Sequence, residues 1–158
     1  MKKIIIGADP LGFTVKEAVK KYLTDEGYEI TDVGTLDDEH QVAYYNVGKE
    51  VGRRVSFGEF ERGIIFCGTG MGVNIVANKY PGVYCGLCET VQSAKLCRTI
   101  NNCNVLSIGG LFQGNYKAIE MVKVFLETEF AEGFSEASPE FLQEAFEEVK
   151  NIEENIER

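Results

Sequence analysis

The chain has 158 residues, 25 acidic against 16 basic, for a net charge of −9. That length suits one domain with a sizeable core, the acidity argues against a nucleic-acid partner because phosphate would be repelled, and no apolar run approaches the ~20 residues that cross a membrane. Five cysteines, at 67, 85, 88, 97 and 103, an odd number without an export signal, point to free thiols in the reducing cytoplasm.

The opening Met1-Lys2-Lys3-Ile4-Ile5-Ile6 is basic then apolar, like the start of a signal peptide. The apolar run breaks at Asp9 with no small-residue cleavage site, so 3–8 reads as a buried strand. A helix over 12–25 follows, with Val15, Ala18, Val19, Tyr22 and Leu23 on one face, and Gly27 supplies a left-handed cap. Strand 28–33 and helix 44–56 come next, then strand 63–67 and helix 72–79, strand 83–87 and helix 90–99, strand 104–108 and helix 115–128. In that last helix Tyr116, Ile119, Val122 and Phe125 share a face. His40, beside Asp37, Asp38 and Glu39, reads as a solvated loop histidine.

Such alternation predicts an α/β fold: a Rossmann-like three-layer αβα sandwich around a five-stranded parallel sheet, plus a C-terminal helix. Ligands in such sheets bind beyond the carboxyl ends of the strands, which directs attention to Asp9, to Cys67–Gly72 and to Asn101. The compact part closes by about residue 130. Ser138-Pro139 then opens a last helix over 139–157. Residues 139–158 hold seven glutamates against Lys150 and Arg158, and Leu142, Ala145, Phe146, Val149, Ile152 and Ile156 form an apolar stripe. That stripe must pack back on the domain or onto a partner subunit. No repeat or second domain is apparent.

The strongest chemical signal is Gly63-Ile64-Ile65-Phe66-Cys67-Gly68-Thr69-Gly70-Met71-Gly72-Val73-Asn74. It reads strand, glycine loop, helix start. The glycines admit backbone N–H groups close to a ligand, and the helix mouth adds partial positive charge, so the pattern suits an anion. A thiol there loses its proton more easily, which would make Cys67 a usable base. The same pattern is equally that of a tight turn around a buried structural cysteine. It is not a P-loop, which ends Gly-Lys-Ser/Thr, nor the dinucleotide fingerprint, since its third glycine comes one position early. Cys85-Gly86-Leu87-Cys88 lies in a strand, which disfavours both a redox pair and a four-cysteine zinc site with Cys97 and Cys103.

Several stretches resemble the family of ribose-5-phosphate isomerase B and galactose-6-phosphate isomerase. They are Ile6-Gly7-Ala8-Asp9-Pro10-Leu11-Gly12-Phe13, Asp32-Val33-Gly34-Thr35, Cys67-Gly68-Thr69-Gly70-Met71-Gly72, Ala77-Asn78-Lys79, Asn104-Val105-Leu106 and Thr128-Glu129-Phe130. The resemblance covers about residues 1–134, the isomerase domain, and leaves 135–158 as an acidic amphipathic helix for packing or oligomer contact. It implies aldose–ketose isomerisation of a sugar or sugar phosphate without metal or cofactor, by proton transfer through an enediolate. It makes Cys67 the base, with Thr69 and Asp9 also catalytic, Asp9 as an acid at the sugar hydroxyls. Gly68, Gly70, Met71, Gly72 and Asn74 become the loop that holds the oxyanion and substrate. Tyr44 becomes a packing tyrosine, and Asn101 a contact from the facing subunit. It also implies a homodimer or tetramer.

The departures are equally specific. Pro10 stands at a family histidine, Ile100 at the ring-opening histidine, Phe112 at an arginine, and Glu132-Gly133-Phe134-Ser135 at a basic phosphate-gripping segment. Three readings follow. The chain is a homo-oligomer acting on another sugar, unphosphorylated or open-chain; or the cysteine-bearing subunit of a hetero-oligomeric galactose-6-phosphate-type isomerase; or a non-catalytic sugar-binding subunit.

Overall fold

The computed structural model describes residues 2–157. Met1 and Arg158, the outer ends of the first and last segments read above, lie outside the described residues. Five parallel strands run in the order β2-β1-β3-β5-β4: β1 (Lys3–Ala8), β2 (Glu29–Asp32), β3 (Gly63–Cys67), β4 (Cys85–Leu87) and β5 (Val105–Gly109). Between them lie α1 (Phe13–Asp25), α2 (Tyr44–Ser56), α3 (Met71–Ala77) and α4 (Val91–Asn101), followed by α5 (Asn115–Glu127) and α6 (Pro139–Glu154). The layered α/β architecture is the one expected from the alternation. β4 is shorter than 83–87, and α4 continues through Ile100 and Asn101.

The period-two alternation of the central strands divides the core. Ile4, Ile6, Ile64, Phe66, Leu106 and Ile108 pack against α1, α4 and α5, while Ile5, Ile65, Cys67 and Val105 pack against α2 and α3. Gly27 takes its left-handed cap at φ 85°. On α5 the buried face is Ala118, Met121, Val122 and Phe125, and Tyr116 is exposed. Val122 and Phe125 lie on the expected face and Ile119 packs beside it, but Ala118 and Met121 complete it in place of Tyr116.

The last helix starts as expected. Ser138 accepts from the Phe141 N–H, and Pro139 follows. It packs back on its own chain. Leu142 is buried, and Phe146 meets the Tyr84 and Phe130 rings edge-on at 5.1 and 5.4 Å. The Glu153 carboxylate accepts from the Gly82 N–H at 3.0 Å and the Tyr84 hydroxyl at 3.1 Å. Burial, then Glu153, pushes that hydroxyl up to about 12. Phe141, Val149, Ile152 and Ile156 stay exposed, so one stripe is split between a docked and a free edge.

A buried ion cluster ties β2 to α1. Lys16, with no solvent exposure, donates to Asp32 at 2.6 Å and to the Thr35 carbonyl at 2.7 Å, and Lys20 reaches the same Asp32 oxygen at 2.8 Å. Burial pushes the Asp32 carboxyl up, but the Lys16, Lys20 and Gly34 N–H donors outweigh it and hold it below its ordinary value. Removing one partner of a buried pair strands the other. Asp32→Asn is therefore expected to lower unfolding free energy by about 3 kcal/mol at neutral pH. A depressed folded value means the contribution is complete above the unfolded carboxylate range and is lost as pH falls through the folded value. In urea melts the gap between wild type and variant should narrow progressively as pH falls below the ordinary carboxylate range; a gap independent of pH would rule out the carboxylate as its source.

Candidate active site

The carboxyl ends of β1, β3 and β5 converge on one patch. Asp9 follows β1, Cys67 ends β3, and the turn 109–113 follows β5. The turns are stitched by backbone: the Asp9 N–H donates to Phe66 O at 3.2 Å, Gly110 N–H to Cys67 O at 2.8 Å, and Leu111 N–H to Gly68 O at 2.9 Å.

Cys67 is 5% exposed, and its sulfur accepts the Gly70 N–H at 3.1 Å. That bond ties the glycine loop to the end of β3. It exists because Gly70 adopts φ 77°, a left-handed turn that folds the loop back over the sulfur. A Cβ there would lie 2.7 Å from Leu87 and 3.0 Å from the Gly109 nitrogen, so the residue is fixed as glycine twice over. α3 has only seven residues, which leaves the loop amides themselves, more than a helix dipole, as the source of positive potential.

Thr69 is half-buried and accepts the Met71 N–H on its hydroxyl at 3.2 Å. Gly68 lies under Leu11 and Leu111, whose methyls are 2.9 and 3.2 Å from where its Cβ would be. Gly72 carries the Tyr44 ring, 2.7 Å from a Cβ there, so the structure brings Tyr44 against the loop. Met71 is exposed at the rim. Asp9 uses one carboxylate oxygen to accept the Leu11 and Gly12 N–H groups, both at 3.0 Å. Burial raises its carboxyl, and those two N–H groups pull the other way.

Two expected residues point elsewhere. Asn74 donates its amide to Cys85 O at 2.9 Å, pinning α3 to β4. Asn101 ends α4, a helix that runs back against the strands, so it lies at the opposite edge of the sheet from Cys67. There it lines a groove of about 290 Å3 with Ile100, Leu142, Phe146 and Val149. Within one chain Asn101 does not reach the thiol.

Sequence reasoning passed over the apolar rim. Leu11, Met71, Leu111 and Phe112 are 60, 48, 63 and 56% exposed around the Cys67 loop. Of these, the sequence marks Met71 as part of the substrate loop and Phe112 as a departure, and gives Leu11 and Leu111 no role of their own. It also passed over Ser107, a buried hydroxyl beneath the loop, which an alternating reading of β5 would have placed on the Cys67 face.

The other four cysteines are free. Burial pushes the Cys85 thiol up, and contact with Cys97, then burial, does the same for Cys88; such thiols are poor nucleophiles. Among the described residues no three His, Cys, Asp or Glu side chains gather as a metal ligand set. His40 is exposed beside Asp37.

A family model described as Ribose/Galactose Isomerase matches residues 4–150. A 4-deoxy-4-sulfo-D-erythrose isomerase of Clostridium sp. (strain MSTE9) is 46% identical over 99% of this chain and 98% of its own. Ribose-5-phosphate isomerase B of Escherichia coli (strain K12) is 36% identical over 84% of this chain and 89% of its own. Among solved structures, ribose-5-phosphate isomerase B of Clostridium thermocellum superposes with a TM-score of 0.86 at 34% identity, covering 96% of this chain and 97% of its own. Fold, loop and likeness agree: the chain belongs to the ribose/galactose isomerase family and is an aldose–ketose isomerase.

Proposed function

We propose that this isomerase acts on a four-carbon sugar carrying a terminal sulfonate, 4-deoxy-4-sulfo-erythrose, with Cys67 as the base. The observation that carries this reading is the 46% identity to an enzyme of that name along essentially the whole of both chains.

The departures at the family's basic positions support it. An aldotetrose closes to a five-membered ring only through its C4 hydroxyl. With sulfur on C4 that hydroxyl is gone, and the C2 and C3 hydroxyls could form only strained three- and four-membered rings. Such a substrate stays open and needs no ring-opening acid, which suits Ile100 at the position of the family's histidine. A sulfonate carries one charge, whereas a phosphate monoester carries nearly two at neutral pH. A site with Pro10, Phe112 and Phe134 in place of cations suits the weaker anion.

In the reaction, the Cys67 thiolate takes the proton from C2 of the aldehyde, leaving an enediolate. The loop N–H groups around Gly70 stabilise its oxygen. A proton passes between the two sugar oxygens, with Asp9 within the same patch to carry it. Cys67 returns its proton to C1, giving the ketose. The base is regenerated and no electrons leave the substrate.

The working unit in this reading is a homodimer, or a pair of them, in the cytoplasm, where its free thiols stay reduced. Asn101, at the far edge of its own sheet, then serves the site of a second copy, and the exposed rim of Leu11, Leu111 and Phe112 is where that copy would close over the thiol.

Purified protein alone should form ketose from 4-deoxy-4-sulfo-erythrose, with ribose 5-phosphate and erythrose 4-phosphate poorer by roughly 100-fold or more in kcat/KM, since several charge-assisted bonds of about 1.5–3 kcal/mol each are missing. Preference for either phosphate, or a need for a second gene product, would replace this substrate assignment. Cys67→Ala should cut turnover by roughly 10²–10⁴ with an unchanged melting curve; near-wild-type activity would end its role as base. Mixing Cys67→Ala with Asn101→Ala should restore part of the activity that each has lost, because one site in the mixed dimer is intact. No recovery in a mixture shown by mass to exchange subunits would place Asn101 outside the shared site.

A further inference from the structure

On the strand face that packs against α2 and α3, the neighbours of Cys67 are Ile5, Ile65 and Val105, all fully buried and apolar. Ser107 interrupts them. It has no solvent exposure and pairs in register with Ile65 on one side and Leu87 on the other. A hydroxyl in such surroundings costs free energy unless it is bonded. Its partner is the Gly70 carbonyl, at 2.5 Å and buried.

That carbonyl already has a donor, the Asn74 N–H of the first turn of α3, at a long 3.3 Å. The serine is therefore not rescuing an orphaned group. What it does is fix Gly70 from the side opposite the sulfur. The N–H of Gly70 donates to Cys67, and its C=O accepts from Ser107. A glycine at φ 77° has no Cβ to hold it in one backbone well. Rotation about its bonds would swing the N–H away from the sulfur. With both peptide groups anchored, the residue with most freedom in the loop is held in the one orientation that serves the thiolate.

We infer that Ser107 is a positioning residue: by holding the Gly70 carbonyl it keeps the Gly70 N–H on the Cys67 sulfur and so maintains the thiolate that abstracts the substrate proton. This rests on the reading of Cys67 as the base. Ser107 touches no substrate and moves no proton; it acts through the loop.

The test separates this role from support of the fold. Thiolate absorbance is followed against pH for wild type, Ser107→Ala and Ser107→Cys, each as the difference from the same protein also carrying Cys67→Ala, so that the other thiols cancel. Ser107→Cys keeps the side-chain volume but offers only a weak donor, and it stands in should the alanine variant fold poorly. In both, the Cys67 transition should move to higher pH, and kcat should fall by roughly 10- to 100-fold with KM changed much less, the signature of a misaligned reacting group. Ser107→Thr, which keeps the hydroxyl, should restore the wild-type transition. Ile64→Val, a core change away from the loop, should lower the melting temperature with neither effect. If the serine variants lose stability while the thiolate transition and kcat stay put, Ser107 is structural only and the inference falls. The absorbance reading does not depend on catalysis, so it judges Ser107 even if Cys67→Ala were to remain active and remove the cysteine from the reaction.

Discussion

The molecule depends on how closely three strand ends can approach at one edge of its sheet. The turns after β1, β3 and β5 share backbone hydrogen bonds, Asp9 to Phe66, Gly110 to Cys67 and Leu111 to Gly68. A Cβ on Gly12 would sit 2.6 Å from Phe66, and one on Gly110 would sit 2.5 Å from the Leu11 carbonyl. Real side chains do not fit those gaps. The close packing brings Asp9 into the same patch as Cys67, so the glycines that permit it shape the site as much as its side chains do.

This constraint explains which features the sequence displays. The strands and helices are legible because buried parallel strands are short apolar runs and their crossover helices carry one apolar face. Cys67 is legible as a candidate because it opens a glycine-rich strand-to-helix turn; the spacing suits a structural turn equally, and the family resemblance decides between the two. Lys16 is not: a lysine on the first helix reads as solvent-facing, and only the fold reveals Asp32 and Thr35 waiting for it across the strand. Ser107 is hidden for the same reason, being one small polar residue inside an apolar strand. Tyr116 errs the other way, since an aromatic at helical spacing looks like core until the smaller Ala118 is found beneath. Pairings distant in sequence leave no periodic trace, and Lys16 and Ser107 are defined by such pairings.

Asn101 marks a different limit. Its place in the chain, just before a strand, looked like a place near the site, yet a crossover helix returns to the opposite edge of the sheet. The topology thus forbids one chain from joining Asn101 to Cys67. The split stripe on α6 fits the same economy. Leu142 and Phe146 seat the helix on its own chain, while the exposed Phe141 and Val149 line the groove beside Ile100 and Asn101. The segment that would carry Asn101 to another copy is bounded by apolar surface that a single chain leaves open.

The missing histidine and arginines bear on how an isomerase can lose groups without losing its reaction. Ring opening, anion grip and carbon-to-carbon proton transfer are separable tasks. The first depends on a substrate hydroxyl that can close a ring, the second on the charge of the substrate's far end, and only the third on the atoms common to every aldose and ketose. In the reading proposed above, the groups that serve the third are the Cys67 sulfur, the Gly70 N–H upon it and the Asp9 carboxylate in the same patch. The residues that the resemblance sets against the first two tasks, Ile100, Pro10, Phe112 and Phe134, are all uncharged. Keeping the reaction while changing the sugar asks for changes in the groups that read the substrate's size and charge, and the proposed substrate accounts for these four residues in that way.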